Sequence, residues 1–151
     1  MKYLFSVFVC MMMMFLLMAC TTDHSFKLDE KQQIIVVHNL IRLYIESEDS
    51  SNGDNQMFFV CKKNEHGTKK IDILYLQDKS PNLSVNKMND HGIYKEIHII
   101  DLLPNRKYTI IHRGMGGRVR IQEFFWTDSL GNLRVDPTRK RIVGYKDLRG
   151  A

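Results

Sequence analysis

From residue 56 onward, short apolar runs alternate with clusters of Gly, Asn, Asp and Pro. Runs of this length are typical of strands, and closely spaced turns favour antiparallel neighbours over parallel strands joined by helices. The predicted strands are 56–62, 70–76, 83–88, 93–102, 107–113, 118–126 and 133–135, with a further edge segment at 142–145. The first two, joined by a turn at 64–68, suggest a β-hairpin. The pattern therefore predicts a mainly antiparallel sheet over this part of the chain.

Ahead of these strands, residues 28–46 fit an amphipathic helix. Asp29 and Glu30 stand where a helix dipole favours acidic side chains. At about 100° per residue, one face carries the apolar side chains Ile34, Val37, Leu40, Ile41, Tyr44 and Ile45. The run 34–37 is β-branched and prefers strands, so a buried strand is the alternative. The predicted fold class is α+β, with one amino-terminal amphipathic helix packed on an antiparallel sheet of about five to seven strands.

The first twenty residues have a different composition. Met1-Lys2 gives a positive start, the residues from Leu4 to Met18 are uncharged, and Ala19 stands directly before Cys20. The uncharged run falls short of the roughly 18–20 residues that a spanning helix needs. Ending in Leu17-Met18-Ala19-Cys20, this segment resembles the signal peptide and lipobox of bacterial lipoproteins. The resemblance implies cleavage after residue 19 and a lipid anchor on the Cys20 thiol.

The resemblance also implies a location and a division of the chain. A fully processed lipoprotein carries three acyl chains, enough for a stable membrane anchor. Thr21, and not an aspartate, follows the cysteine, which favours the outer membrane of a Gram-negative bacterium. The chain then divides into a signal peptide at 1–19, a lipidated tether at 20–27 and one globular domain at 28–151. A signal peptide without lipidation, or an amino-terminal membrane anchor, is the alternative.

Charge and cysteine content set limits on the domain and its partners. Residues 106–151 carry 11 Lys and Arg against 4 Asp and Glu, whereas residues 20–105 carry 10 against 13. This asymmetry favours an anionic partner such as a lipid headgroup, lipopolysaccharide or acidic glycan, and in an envelope compartment it does not point to nucleic acid. With Cys10 removed and Cys20 acylated, Cys61 is alone and is expected to be buried. No intramolecular disulfide is then possible in the mature chain.

The candidate binding residues are basic and aromatic. Gly114-Met115-Gly116-Gly117 lies between Arg113 and Arg118, and it reads either as a hairpin turn or as an anion-binding nest. On a strand over 118–126, alternate residues form a stripe of arginine, glutamine and aromatic side chains that could meet a sugar or a protein. The alternative is a strand end buried on both faces. The predicted ligand- or partner-contacting residues are Arg113, Arg118, Arg120, Trp126, Arg139, Lys140 and Arg141.

No catalytic or metal-binding pattern is present. The glycine-rich stretch lacks the Lys-Ser/Thr of a P-loop, and there is no Gly-x-Ser-x-Gly motif. The histidines lack close metal-ligand spacing, although His98 and His112 stand on neighbouring predicted strands. Glu123 lies on the apolar side of its strand, where a lone carboxylate is usually paired or displaced by a bulge. The sequence therefore predicts no catalytic residues, no metal and no cofactor.

One short segment points to a different fold. Leu102-Leu103-Pro104-Asn105-Arg106-Lys107-Tyr108 resembles the Leu-x-Pro-x-x-x-Tyr corner of fibronectin type III domains. The resemblance implies a tyrosine hydroxyl that fastens the loop, and an all-β sandwich as the alternative to α+β. The early strand tryptophan of that family is missing.

Together these features predict a lipid-anchored cell-envelope protein that acts as a non-catalytic binding or interaction module. Its partner would be an anionic envelope component or an envelope protein. An inhibitor or immunity-type protein, or an envelope hydrolase, is the alternative.

Overall fold

The computed structural model describes residues 23–48, 55–64, 70–89, 91–114, 119–135 and 142–145. These residues form eleven β-strands in two antiparallel sheets. The strands are β1 (Phe26–Asp29), β2 (Ile34–His38), β3 (Arg42–Ser47), β4 (Met57–Lys62), β5 (Ile71–Tyr75), β6 (Leu83–Met88), β7 (Tyr94–Ile97), β8 (Lys107–Arg113), β9 (Val119–Thr127), β10 (Leu133–Arg134) and β11 (Ile142–Tyr145). No helix long and apolar enough to cross a membrane occurs among the described residues.

The smaller sheet has three strands in the order β1-β2-β5. The larger sheet has eight, in the order β10-β9-β8-β3-β4-β6-β7, with β11 also paired to β9. Strands in both sheets bury alternate side chains, as a sheet with one solvated face does. The inner faces contribute to one apolar core, with Phe26 and Val37 from the smaller sheet and Phe58, Ile110 and Phe125 from the larger sheet.

The predicted amino-terminal helix is wrong. Residues 28–46 contain half of β1, all of β2 and most of β3, and no helix occurs in the described part of the chain. The β-branched run 34–37 forms β2, as its strand propensity favours. Gln33 and Asn39 adopt left-handed backbone conformations, with φ of 54° and 48°, and these end the extended segment on either side. The all-β alternative therefore describes the fold better than α+β does.

The predicted hairpin of residues 56–62 and 70–76 is also wrong. The two strands form as expected, but β4 pairs with β3 and β6, whereas β5 pairs with β2 in the other sheet. An ion pair still connects them, because Lys62 Nζ lies 3.0 Å from Asp72 Oδ2. Both side chains are largely shielded from water, so this contact joins the two sheets through the interior.

The corner before β8 has the contacts that the fibronectin type III resemblance implies. The Tyr108 hydroxyl accepts a hydrogen bond from Leu103 N at 2.8 Å and donates one to Gln56 Oε1 at 2.6 Å. The ring is fully buried and stacks on Phe125, with centroids 5.2 Å apart. Burial raises the pKa of Tyr108 to about 12, so the hydroxyl remains a donor at physiological pH.

The turn at 128–132 joins β9 to β10. The Asp128 carboxylate accepts hydrogen bonds from Asn132 N and Leu130 N, both at 2.9 Å, and these bonds, that from Asn132 above all, hold the pKa of Asp128 at about 2. Gly131 has a φ of +80°, and a Cβ at this position would lie 2.5 Å from Leu102 O. Glycine is therefore required by both the backbone conformation and the space.

Candidate anion-binding face

The outer face of the larger sheet carries the basic and aromatic residues that the sequence singles out. Along β9, Ile121 and Phe125 point into the core, whereas Arg120, Gln122 and Trp126 alternate with them on the outside. This arrangement confirms the predicted stripe for the described part of that strand. Arg118, Arg139, Lys140, Arg141 and Cys20 lie outside the described residues, so their roles stay predictions.

Strand register brings three arginines side by side. Arg113 on β8 is opposite Arg120 on β9, and on its other side it is opposite Arg42 on β3. All three side chains are exposed. Because neighbouring strands lie about 4.8 Å apart, the three residues form a line of roughly 10 Å across the sheet. We call Arg42, Arg113 and Arg120 the arginine row.

Arg42 was not among the predicted site residues. On a helix over 28–46, Arg42 would lie opposite the apolar face, on the polar side. Taken as a strand, Arg42-Leu43-Tyr44-Ile45-Glu46 alternates polar and apolar positions and puts Arg42 and Tyr44 on one face. That alternation was the signal in the sequence, but only the pairing of β3 with β8 places Arg42 beside Arg113.

The arginine row has few internal partners. The Arg113 guanidinium lies over the Tyr44 ring, 5.1 Å from its centroid, and Arg120 donates a hydrogen bond to Gln122 Oε1 at 3.1 Å. None of the five ion pairs found among the described residues includes an arginine of the row. Like charges opposite each other on adjacent strands are destabilising. An anion bound at the row would reduce the repulsion between the three guanidinium groups.

Aromatic side chains continue from the row across the sheet. Tyr44 and Phe59 have ring centroids 5.2 Å apart, and Phe59 lies 6.0 Å from Tyr94 on the edge strand β7. Tyr94 is 45% exposed, so this band of rings ends at the solvent. A band of tilted aromatic rings beside guanidinium groups can contact the apolar face of a sugar ring or a lipid glycerol region.

Trp126 belongs to a separate cluster at the other end of β9. It stands six residues from Arg120, about 20 Å along the strand. The Lys107 ammonium lies over the rings of Phe124 and Trp126, at 4.6 and 5.7 Å from their centroids, and also pairs with Glu48. The structure thus brings Arg113 and Arg120 together and leaves Trp126 apart from them.

Two histidines meet in the interior behind the row. The His112 and His24 rings are 5.5 Å apart and edge-to-face, and His112 Nδ1 donates to His24 O at 2.6 Å. Burial lowers the pKa of His112, although the bond to the His24 carbonyl acts in the opposite direction. His98 is exposed and follows β7, so it does not lie beside His112. Across the described ranges, no group of three His, Cys, Asp or Glu side chains could hold a metal ion.

Two further reactive side chains, Glu123 and Cys61, differ in their burial. Glu123 is fully buried on the inner face of β9. Cys61 is half-buried on the outer side of β4, which corrects the expectation that it would lie in the core. The correction follows from strand parity, because Phe58 and Val60 occupy the inward positions of β4.

Compared with family models, with curated proteins and with solved structures, the chain has no significant match.

Proposed function

We propose that the mature protein is a lipid-anchored cell-envelope protein that binds an anionic envelope component and catalyses no reaction. The observation that carries this proposal is the arginine row, three exposed guanidinium groups on neighbouring strands with no acidic partner in the described ion pairs. Each guanidinium can bind a carboxylate, sulfate or phosphate through two parallel hydrogen bonds. A ligand with several anionic groups fits the row best.

The membrane anchor in this proposal rests on the sequence that ends in Ala19-Cys20. Fatty-acid labelling of the wild type and Cys20→Ala in a bacterial host, followed by membrane fractionation, tests it. We expect label and stable membrane association in the wild type, and loss of the label in the variant. A wild-type chain that takes up no label would contradict lipidation, because the diacylglyceryl group proposed for the Cys20 thiol contains fatty acids.

Binding by the row is tested with immobilised lipopolysaccharide and acidic polysaccharide at increasing salt. Arg42→Gln with Arg120→Gln should weaken binding by about a hundredfold, since each of the two lost charge-assisted contacts contributes roughly 1.5 kcal/mol and every ~1.4 kcal/mol is a factor of ten in affinity. The matched control is Lys27→Gln with Lys79→Gln, which removes the same charge from exposed positions elsewhere. Equal loss in both pairs would mean that net charge, and not the row, drives the binding.

The carboxy-terminal cations are a separate part of the proposal. Changing Arg139, Lys140 and Arg141 to glutamine should reduce the salt-sensitive binding if this segment extends the site. Binding that is unaffected by these changes would confine the site to the sheet face.

We also propose that the fold is a fibronectin type III-like sandwich. Two antiparallel sheets around one core and the Tyr108 corner support this comparison. Tyr108→Phe should lower the free energy of unfolding by about 1–3 kcal/mol, because Leu103 N and Gln56 Oε1 lose their common partner. Tyr75→Phe, at a partly exposed position, is the control and should have little effect on chemical denaturation.

A further inference from the structure

We infer that the arginine row binds the phosphate groups of the bilayer in which the protein is anchored, so that this end of the domain rests on the membrane. The inference depends on the proposed lipidation of Cys20 and adds a ligand class and an orientation to it. The inference follows from three features. These are the place where the amino-terminal segment attaches to the fold, the positions of the cations that are in no ion pair of the described residues, and the many phosphate groups that a lipid surface presents in one plane.

The amino-terminal segment is fastened next to the arginine row. His24 O accepts the 2.6 Å hydrogen bond from His112, the residue directly before Arg113. Asp23 Oδ2 lies 3.2 Å from His38 Nδ1, and Asn39, three residues before Arg42, donates a hydrogen bond to Asp23 O. Residues 23 and 24 are therefore held at the end of the larger sheet where β3 begins and β8 ends.

Covalent geometry limits how far the lipid can be from this point. Cys20 is three residues before Asp23, and an extended chain covers about 3.3–3.6 Å per residue. The anchoring sulfur therefore cannot lie much more than about 11 Å of backbone from Asp23, plus the length of one side chain. An anchor this short keeps the arginine end of the sheet near the headgroups.

The cations at the two ends of β8 and β9 differ in their partners. At the far end, Lys107 pairs with Glu48 and Arg134 contacts Asp128 at 2.9 Å, whereas Arg106 is half-buried and is in none of the ion pairs of the described residues. At the anchored end, the carboxylate of Asp23 is engaged by His38 and by Ser25 N, and Asp72 pairs with Lys62. The three arginines of the row face outward without such a partner in the described structure, so they are the groups available to external phosphates.

A bilayer also matches the row better than a soluble ligand does. The row runs across the strands, so strands standing upright on the membrane would present all three guanidinium groups to one plane of phosphates. The covalent anchor raises the effective concentration of headgroups, so contacts that are individually weak suffice. A free glycan has no such covalent link, so its contacts with the row would have to offset all of the translational and rotational freedom that is lost on binding.

The test measures arginine reactivity in the full lipidated protein. The protein is reconstituted into vesicles of phosphatidylcholine alone, or of phosphatidylcholine with phosphatidylglycerol. Modification by phenylglyoxal is then followed at each arginine by mass spectrometry. Arg106 and Arg134, at the far end of the sheet, serve as controls within the same chain.

We expect Arg42, Arg113 and Arg120 to react about fivefold more slowly in the anionic vesicles, the factor that corresponds to roughly 1 kcal/mol for each arginine at an anionic surface. Arg106 and Arg134 should react at the same rate in both vesicles. High salt should remove the protection of the row, because it screens the surface potential.

Four results would overturn the inference. Equal rates for the row in both kinds of vesicle would contradict the proposed orientation but not the lipid anchor. Equal protection of all five arginines would do the same. Protection of the row in neutral vesicles by added acidic polysaccharide, with none from anionic lipid, would assign the row to a glycan. Absence of fatty acid on the protein would overturn the proposed anchor and this inference together.

Discussion

At the scale of single residues, the arginine row combines exposure with mutual repulsion. Arg120 faces Arg113, which in turn faces Arg42, and the row has no acidic partner among the described ion pairs. A protein that needed these positions only for solubility would gain as much from charges spread over the surface. Their concentration in one line is the reason to assign them a ligand.

This repulsion predicts a stabilising substitution. Without ligand and at low salt, Arg120→Gln should raise the free energy of unfolding by about 0.2–1 kcal/mol, because one like-charge pair is removed. The gain should disappear near 1 M salt, where the screening length is about 3 Å. Urea unfolding at both salt concentrations measures it, with Lys27→Gln as the control. A loss of stability at low salt would mean that Arg120 has a structural role.

His112 gives the protein a pH dependence with a defined sign. Burial lowers its pKa in the folded state below the ordinary value of 6.5. As the pH falls through about 6.5, the unfolded chain therefore binds a proton that the folded chain resists, and stability decreases. Stability from this group is complete above that pH and is lost below it.

His112→Gln should flatten this dependence. We expect the difference in free energy of unfolding between pH 7.5 and pH 5.5, measured with urea, to shrink in the variant, whatever the variant's stability at pH 7.5. The exposed His98→Gln should keep the wild-type difference. An unchanged difference in His112→Gln would assign the pH dependence to another group.

At the scale of elements, two glycines test which turns depend on close packing. Gly92 and Gly131 both have positive φ, 75° and 80° respectively, but an added Cβ has open space at Gly92 and would lie 2.5 Å from Leu102 O at Gly131. Gly92→Ala should cost about 1–2 kcal/mol from backbone strain alone. Gly131→Ala should cost about 1–3 kcal/mol more, because the corner before β8 must move. Thermal or urea unfolding compares them, and equal losses would show that the contact with Leu102 relaxes freely.

The segment from 28 to 46 shows why a periodic pattern can predict the wrong element. Its apolar residues fit a helical face only when the count runs without interruption through Asn39. The structure instead turns the chain at residues 39–41, with Asn39 at a φ of 48°, and each side of the turn alternates with period two. Two short strands joined by a tight turn imitate one helix when their phases happen to agree.

At the scale of the whole molecule, the Lys62–Asp72 pair holds strands of different sheets together. The Asp72 side chain is 4% exposed and that of Lys62 is 17% exposed. Lys62→Met should destabilise the protein by about 3 kcal/mol, because a buried carboxylate loses its counter-charge. Lys62→Met with Asp72→Leu should recover most of this loss.

Lys63→Met is the matched control, since Lys63 is 3.9 Å from Glu96 in an exposed pair that should contribute less than about 1 kcal/mol. Urea unfolding of the three variants measures these changes in the free energy of unfolding. Equal effects at Lys62 and Lys63 would show that the pair between the sheets contributes no more than a surface contact.

The sequence by itself determined most strand positions from residue 56 onward, which side of β9 faces outward, and which tyrosine fastens the corner before β8. The predicted strand 93–102 is an exception, because only Tyr94–Ile97 of it forms a strand. These features follow from local rules: the lengths of apolar runs, the alternation of side chains along a strand, and the chemistry of turns. The signal-like segment ending at Cys20 is of the same local kind, and its function stays a prediction.

Only the tertiary structure decided which strands are partners. β5 pairs with β2 and not with its neighbour in sequence, β4, and β3 brings Arg42 beside Arg113. Distant segments pair in the arrangement that buries the inner faces of both sheets in one core. The free energy of this burial is a sum over many contacts between distant residues, so no local sequence pattern contains it. The arginine row therefore exists only in the folded sheet, assembled from residues 42, 113 and 120 by strand register.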